Sequence, residues 1–149
     1  MKEYICTRQP SAAAILRGSA AYPDIRGCVR LYQTKKGVLI YTEVHGLPHD
    51  GFYAFHIHEG SRCAPKGDDP FGMSGAHFNP KGVPHPDHAG DLPPLLAADG
   101  YALGAFVTDR FAVNEVLGRT VILHSHPDDF ATQPSGSAGE KIACGIIRY

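Results

Sequence analysis

The chain has 149 residues and a formal net charge of −1, long enough to bury a hydrophobic core in one domain spanning 1–149. Its charge balance gives no basic footprint for nucleic acid, and no run approaches the ~20 apolar residues needed to cross a bilayer. Nine histidines stand out, because imidazole is the commonest side chain for binding transition metals.

Seventeen glycines and twelve prolines cut the chain into short runs rich in Val, Ile, Phe and Tyr, the pattern of an all-β protein. Near the N-terminus the longest apolar run, Ala12 to Leu16, is shorter than the core of a secretory signal. Read from Met1, the chain is expected in the cytoplasm; a removed leader would place it in the periplasm or outside the cell. Candidate strands follow at Ala13–Gly18, Ile25–Gln33, Gly37–Val44, Phe52–His58, Ala102–Thr108, Arg119–His124 and Ile142–Ile147. In the second, Ile25, Gly27, Val29 and Leu31 fall on one face, with Arg26, Cys28, Arg30 and Tyr32 on the other. Lys35-Lys36-Gly37 and Ala98-Asp99-Gly100 read as turns. Glu59 to Leu96 and Ser125 to Lys141, rich in Pro, Gly, Asp and Ser, read as long loops. The architecture expected is a sandwich or barrel of about eight antiparallel strands carrying two long functional loops.

In Phe52-Tyr53-Ala54-Phe55-His56-Ile57-His58, a period of two puts Phe55 and Ile57 on one side and His56 and His58 on the other. Two such imidazoles start about 7 Å apart at Cα, a span one metal bridges, although an isolated pair reads equally as solvent-facing. The loop from Gly75 to Asp91 adds His77, His85, His88 and Asp91 with no core to pack in. Imidazoles with one carboxylate form a tetrahedral set suited to zinc. His124, after Thr120-Val121-Ile122-Leu123, completes the candidates.

Phe55-His56-Ile57-His58-Glu59, Ala76-His77-Phe78-Asn79-Pro80, His88-Ala89-Gly90-Asp91-Leu92, Gly118-Arg119-Thr120 running to His124, and Ala143-Cys144-Gly145 occur in one order. That order resembles the copper/zinc superoxide dismutase family from about Ala13 to the C-terminus. The resemblance is closest to bacterial members with shortened loops, as in Asp128-Asp129-Phe130 followed by Thr132-Gln133-Pro134-Ser135-Gly136. It implies a Greek-key barrel with a metal loop and an electrostatic loop. It also implies an enzyme converting two superoxide anions to dioxygen and hydrogen peroxide as copper alternates between Cu(II) and Cu(I), with zinc structural.

Residue by residue, the resemblance gives copper to His56, His58, His77 and His124, and zinc to His77, His85, His88 and Asp91, with His77 shared as an imidazolate. Asp128 would accept hydrogen bonds from one histidine of each set, and Cys63 with Cys144 would form a disulfide. His77 would take and return a proton, and Lys141 stands where the family commonly has an arginine beside the copper. Lysine keeps the charge but lacks the planar bidentate fork. The resemblance allows a homodimer, though family members differ in which surface they bury. The alternative reading is a non-catalytic zinc- or copper-binding relative; in such relatives one copper ligand is typically missing, whereas all four positions are filled here. Cys6 and Cys28 read as inert thiols, His126 as a solvated loop residue, and His45 and His49 carry no assigned role.

Overall fold

The computed structural model describes residues 8–149, so Cys6 lies outside the described residues. Among the described residues nine antiparallel strands form: β1 (Ala12–Gly18), β2 (Arg26–Thr34), β3 (Gly37–His45), β4 (Gly51–Tyr53), β5 (Phe55–His58), β6 (Leu95–Ala98), β7 (Tyr101–Thr108), β8 (Thr120–His124) and β9 (Lys141–Ile146). They hydrogen-bond in the order β4-β6-β7-β3-β2-β1-β9-β8-β5. The two ends of that order, β4 and β5, are consecutive in sequence, so the sheet curls into a nearly closed barrel. Pairing of β3 with β7 and of β1 with β9 gives the Greek-key connections.

The local rules that make these strands are simple. Ile25, Val29 and Leu31 face the core as their alternation requires, while Arg26 is exposed. Tyr32, on the outer face, is also buried. Asp99 and Gly100 both take positive φ, 53° and 73°, which the two-residue turn joining β6 to β7 demands. Inside the barrel, Leu16, Leu31, Ile40, Phe55, Ile57, Leu123 and Ile142 belong to one buried cluster. Burying a side chain of this size contributes about 1.5–3 kcal/mol.

Three sequence expectations need correction. The run Phe52–His58 is not one strand: it breaks at Ala54, whose N–H donates to His126 O and whose carbonyl accepts from His124 N–H, each at 2.9 Å. That break lets β4 pair with β6 and β5 with β8, on opposite sides of the barrel seam. The first long loop ends earlier than Leu96, because Leu95 opens β6 with its side chain buried against the core. Lys141 is not loop but the first residue of β9, paired with His124 at an irregularity in the ladder. Two short helical pieces, a 3-10 turn at Gly72–Ser74 and α1 at Val113–Val116, had no sequence signal strong enough to predict.

The first loop is anchored at both its base and its middle. A disulfide joins Cys63 to Cys144 of β9, with Cα atoms 5.7 Å apart. Cys28 is a free, partly buried thiol. Further on, the loop folds back along β5: Phe78 N–H donates to Ile57 O at 2.8 Å and Ile57 N–H to Gly90 O at 2.9 Å. Bridges therefore pair His58 with His77 and His56 with Asp91. Among the described residues no helix is long and apolar enough to cross a membrane.

Candidate metal centre

Strand β5 buries both of its faces. Phe55 and Ile57 enter the core, while His56 and His58, 0% and 2% exposed, lie beneath the loops. The bridges to β5 bring His77 beside His58 and Asp91 beside His56, and β8 delivers His124 from the other side. Two groups result. His56, His58, His77 and His124 offer ligand atoms within 4.8 Å of one another, and so do His77, His85, His88 and Asp91.

His56, His58, His85 and His124 each have one ring nitrogen held by the protein outside the ligand groups and the other turned toward them. His56 Nε2 donates to Asp128 Oδ2 at 2.8 Å, leaving Nδ1 buried without a partner. His58 Nδ1 donates to Gly75 O at 2.8 Å and His124 Nδ1 to Gly139 O at 3.4 Å. Their Nε2 atoms then face each other at 3.3 Å. His77 Nε2 is buried and unpartnered, whereas its Nδ1 lies 2.7 Å from Asp91 Oδ1 and 3.3 Å from His88 Nδ1. One ring thus offers opposite nitrogens to the two groups.

His85 Nε2 donates to Asp128 Oδ1 at 2.8 Å. Its Nδ1 lies 3.0 Å from Asp91 Oδ2 but out of hydrogen-bond alignment. His88 N–H donates to Asp91 Oδ2 at 3.0 Å, holding the carboxylate in place. Asp128 thereby joins a histidine of one group to a histidine of the other, and an outer carboxylate of this kind fixes ring orientation and tautomer.

The electrostatics favour cations with neutral rings around them. Burial, with the neighbouring His56 and His77 rings, pushes His124 down to about 3. Burial likewise lowers His58 far below the usual imidazole range, and lowers His56 although Asp128 opposes it. Burial works against ionisation of Asp128, yet hydrogen bonds from His56, Phe130 N–H and His85 hold its carboxyl well below the ordinary range. Asp91 is also lowered, its burial outweighed by the hydrogen bond from His77 and the surrounding rings. Metal ligation needs deprotonated nitrogen and ionised carboxylate, the states favoured at His56, His58, His124 and Asp91. Buried nitrogens without partners are costly unless a cation takes them. His56 Nδ1, His77 Nε2 and His85 Nδ1 are such atoms, so the donor set fits two metal ions. The nitrogen-only group suits copper, and the three imidazoles with one carboxylate suit zinc.

A cavity of about 450 Å³ opens over the first group, with His58, His77, His124, Ser135, Gly139 and Lys141 in its wall. Lys141 is not a free cation there, because its Nζ lies 2.9 Å from Asp69 Oδ2. His126 is exposed and hydrogen-bonds Ser125, outside both groups. His45 and His49 lie against Tyr101 and Tyr53.

Several contributors carried no sequence signal: the carbonyls of Gly75 and Gly139, and Gln133, whose side chain bonds the backbone of His85. Asp69 had only the adjacent pair Asp68-Asp69 to mark it.

A Greek-key barrel carrying two buried ligand groups that share one imidazole defines a two-site metalloprotein of the β class. A family model described as copper/zinc superoxide dismutase matches residues 25–147. The chain is 38% identical over 140 residues to superoxide dismutase (Cu-Zn) 2 of Aquifex aeolicus (strain VF5), covering 84% of this chain and 80% of the relative. It is 36% identical over 137 residues to superoxide dismutase (Cu-Zn) 1 of the same strain, covering 82% and 79%. An alignment of 158 positions with superoxide dismutase (Cu-Zn) of Deinococcus radiodurans gives 34% identity, covering 94% and 85%. The chain belongs to the copper/zinc superoxide dismutase family.

Proposed function

We propose that the protein dismutes superoxide, with His56, His58, His77 and His124 holding copper and His77, His85, His88 and Asp91 holding zinc. The observation that carries this reading is His77, whose two ring nitrogens serve different buried groups. Copper supplies the alternating one-electron oxidation and reduction that dismutation requires, and zinc, without redox chemistry, supplies none.

Two superoxide anions and two protons become one dioxygen and one hydrogen peroxide. The chain's part is to admit the anion, exclude bulk water and place a proton near it. The cavity wall brings the anion against His58, His77 and His124, and Lys141 sets a positive charge beside that path. His77 Nε2, buried and without a protein partner, is the nitrogen placed to hold and return one proton. Asp128 keeps His56 and His85 in the tautomer that leaves Nδ1 for a metal. The Cys63–Cys144 disulfide supports residence in an oxidising compartment outside the cytoplasm.

Metal analysis of the purified protein, with superoxide turnover before and after copper loading, tests this. Copper-dependent turnover that His77→Ala abolishes is expected. Full copper occupancy without turnover would sink the reading.

A further inference from the structure

We propose that Asp69 sets the anion affinity of the cavity by cancelling part of the Lys141 charge. The inference rests on the superoxide reading given above. Lys141 Nζ approaches Asp69 Oδ2 at 2.9 Å and donates to Gly75 O at 3.4 Å and Phe71 O at 3.5 Å. An ammonium has three N–H donors, and here all three meet oxygens of the same loop. The lysine is therefore held to this loop, most closely by Asp69, and acts on an incoming anion chiefly through its field.

Asp69 is built into its position. Its Oδ1 accepts Phe71 N–H at 2.9 Å, and its backbone exchanges hydrogen bonds with Lys66 at 3.0 and 3.3 Å. The Lys141 side chain is only 15% exposed and that of Asp69 39%, so salt does not fully screen the pair. Their partnership also follows from chain anchoring, because Cys63 and Cys144 hold this loop to β9 close to Lys141. Of the other carboxylates, Glu140 accepts Tyr22 OH at 2.6 Å, and Glu59 lies in the cavity wall, a negative charge that the Asp69 substitutions leave unchanged. An anion at the cavity mouth thus meets an ion pair, whose attraction is weaker and of shorter range than that of a bare cation.

The test uses azide as the anion probe on the full chain loaded with copper and zinc, comparing wild type, Asp69→Asn and Asp69→Glu. Asparagine keeps the volume and the acceptor for Phe71 N–H; glutamate keeps the charge. At low ionic strength Asp69→Asn is expected to bind azide about 3-fold tighter and to raise the superoxide rate by a similar factor. Both gains should fade at high salt, as a long-range charge effect must. Asp69→Glu should stay near wild type. Equal azide affinity in Asp69→Asn and wild type overturns the proposal. Glutamate behaving like asparagine also overturns it, since loop geometry would then outweigh charge. Wild type that binds azide without turning over superoxide removes the dismutase reading, while the azide comparison still decides the role of Asp69.

Discussion

The side-chain amide of Gln133 grips both backbone groups of His85: Oε1 accepts His85 N–H at 3.0 Å and Nε2 donates to His85 O at 2.7 Å. This two-point bond ties the second loop to the group of His77, His85, His88 and Asp91 without touching a ring nitrogen. Gln133→Ala is therefore expected to weaken zinc binding about 10-fold, the lower end of the effect of losing an outer partner. Competition against a chromogenic chelator would measure it. Unchanged zinc affinity would show that Asp128 alone orients His85.

Gly136, in the second loop, lies against Asp128. Its φ is 74°, and a Cβ there would overlap Asp128 Oδ1 and His85 Nε2. Gly136→Ala should destabilise the protein by about 2–4 kcal/mol through strain and overpacking together. It should also weaken metal binding, because Asp128 must move. Urea unfolding and a metal titration on the same preparation test both halves.

The disulfide closes a segment with a sequence separation of 81. Replacing Cys63 and Cys144 with serine should cost about 4–5 kcal/mol by chain entropy. Denaturant unfolding of the metal-free protein gives the clean comparison, since metals would otherwise hold the same loop. A loss under about 1 kcal/mol would mean that the loop stays ordered in the unfolded ensemble.

Lys141→Gln should lower the superoxide rate about 3-fold at low ionic strength, with a smaller loss in high salt. The effect stays modest because Asp69 already offsets the amine. Rates followed across a salt series decide this, and a loss independent of salt would point to direct contact with the substrate.

Residue type and spacing made the ligand candidates legible, while the sharing of His77 and the roles of Asp128, Lys141 and the Cys63–Cys144 pair came only from the family resemblance. Period two in Phe55-His56-Ile57-His58 correctly separated core residues from ring nitrogens, because a strand buried on both faces still alternates. The break at Ala54 was not legible, since a strand that changes partners across a barrel seam keeps its apolar pattern. Leu95 and Leu96 looked like the end of a Pro-rich loop because β6 has only four residues, too few to show a period. Gly75, Gly139 and Gln133 act through carbonyls and a side-chain amide, chemistry that any loop sequence contains. Asp69 shows the same limit: a carboxylate becomes the partner of Lys141 only once the loop has folded over β9.

The pairing of His58 with His77 and of His56 with Asp91 has a consequence for solubility. Without the loop segments at Phe78 and Gly90, β5 would present unpaired N–H and C=O groups along its outer side. Such an edge is a template for pairing with another chain. The ligands that gather the metals also keep that edge covered, so losing the ions would loosen the segment that prevents strand-to-strand aggregation.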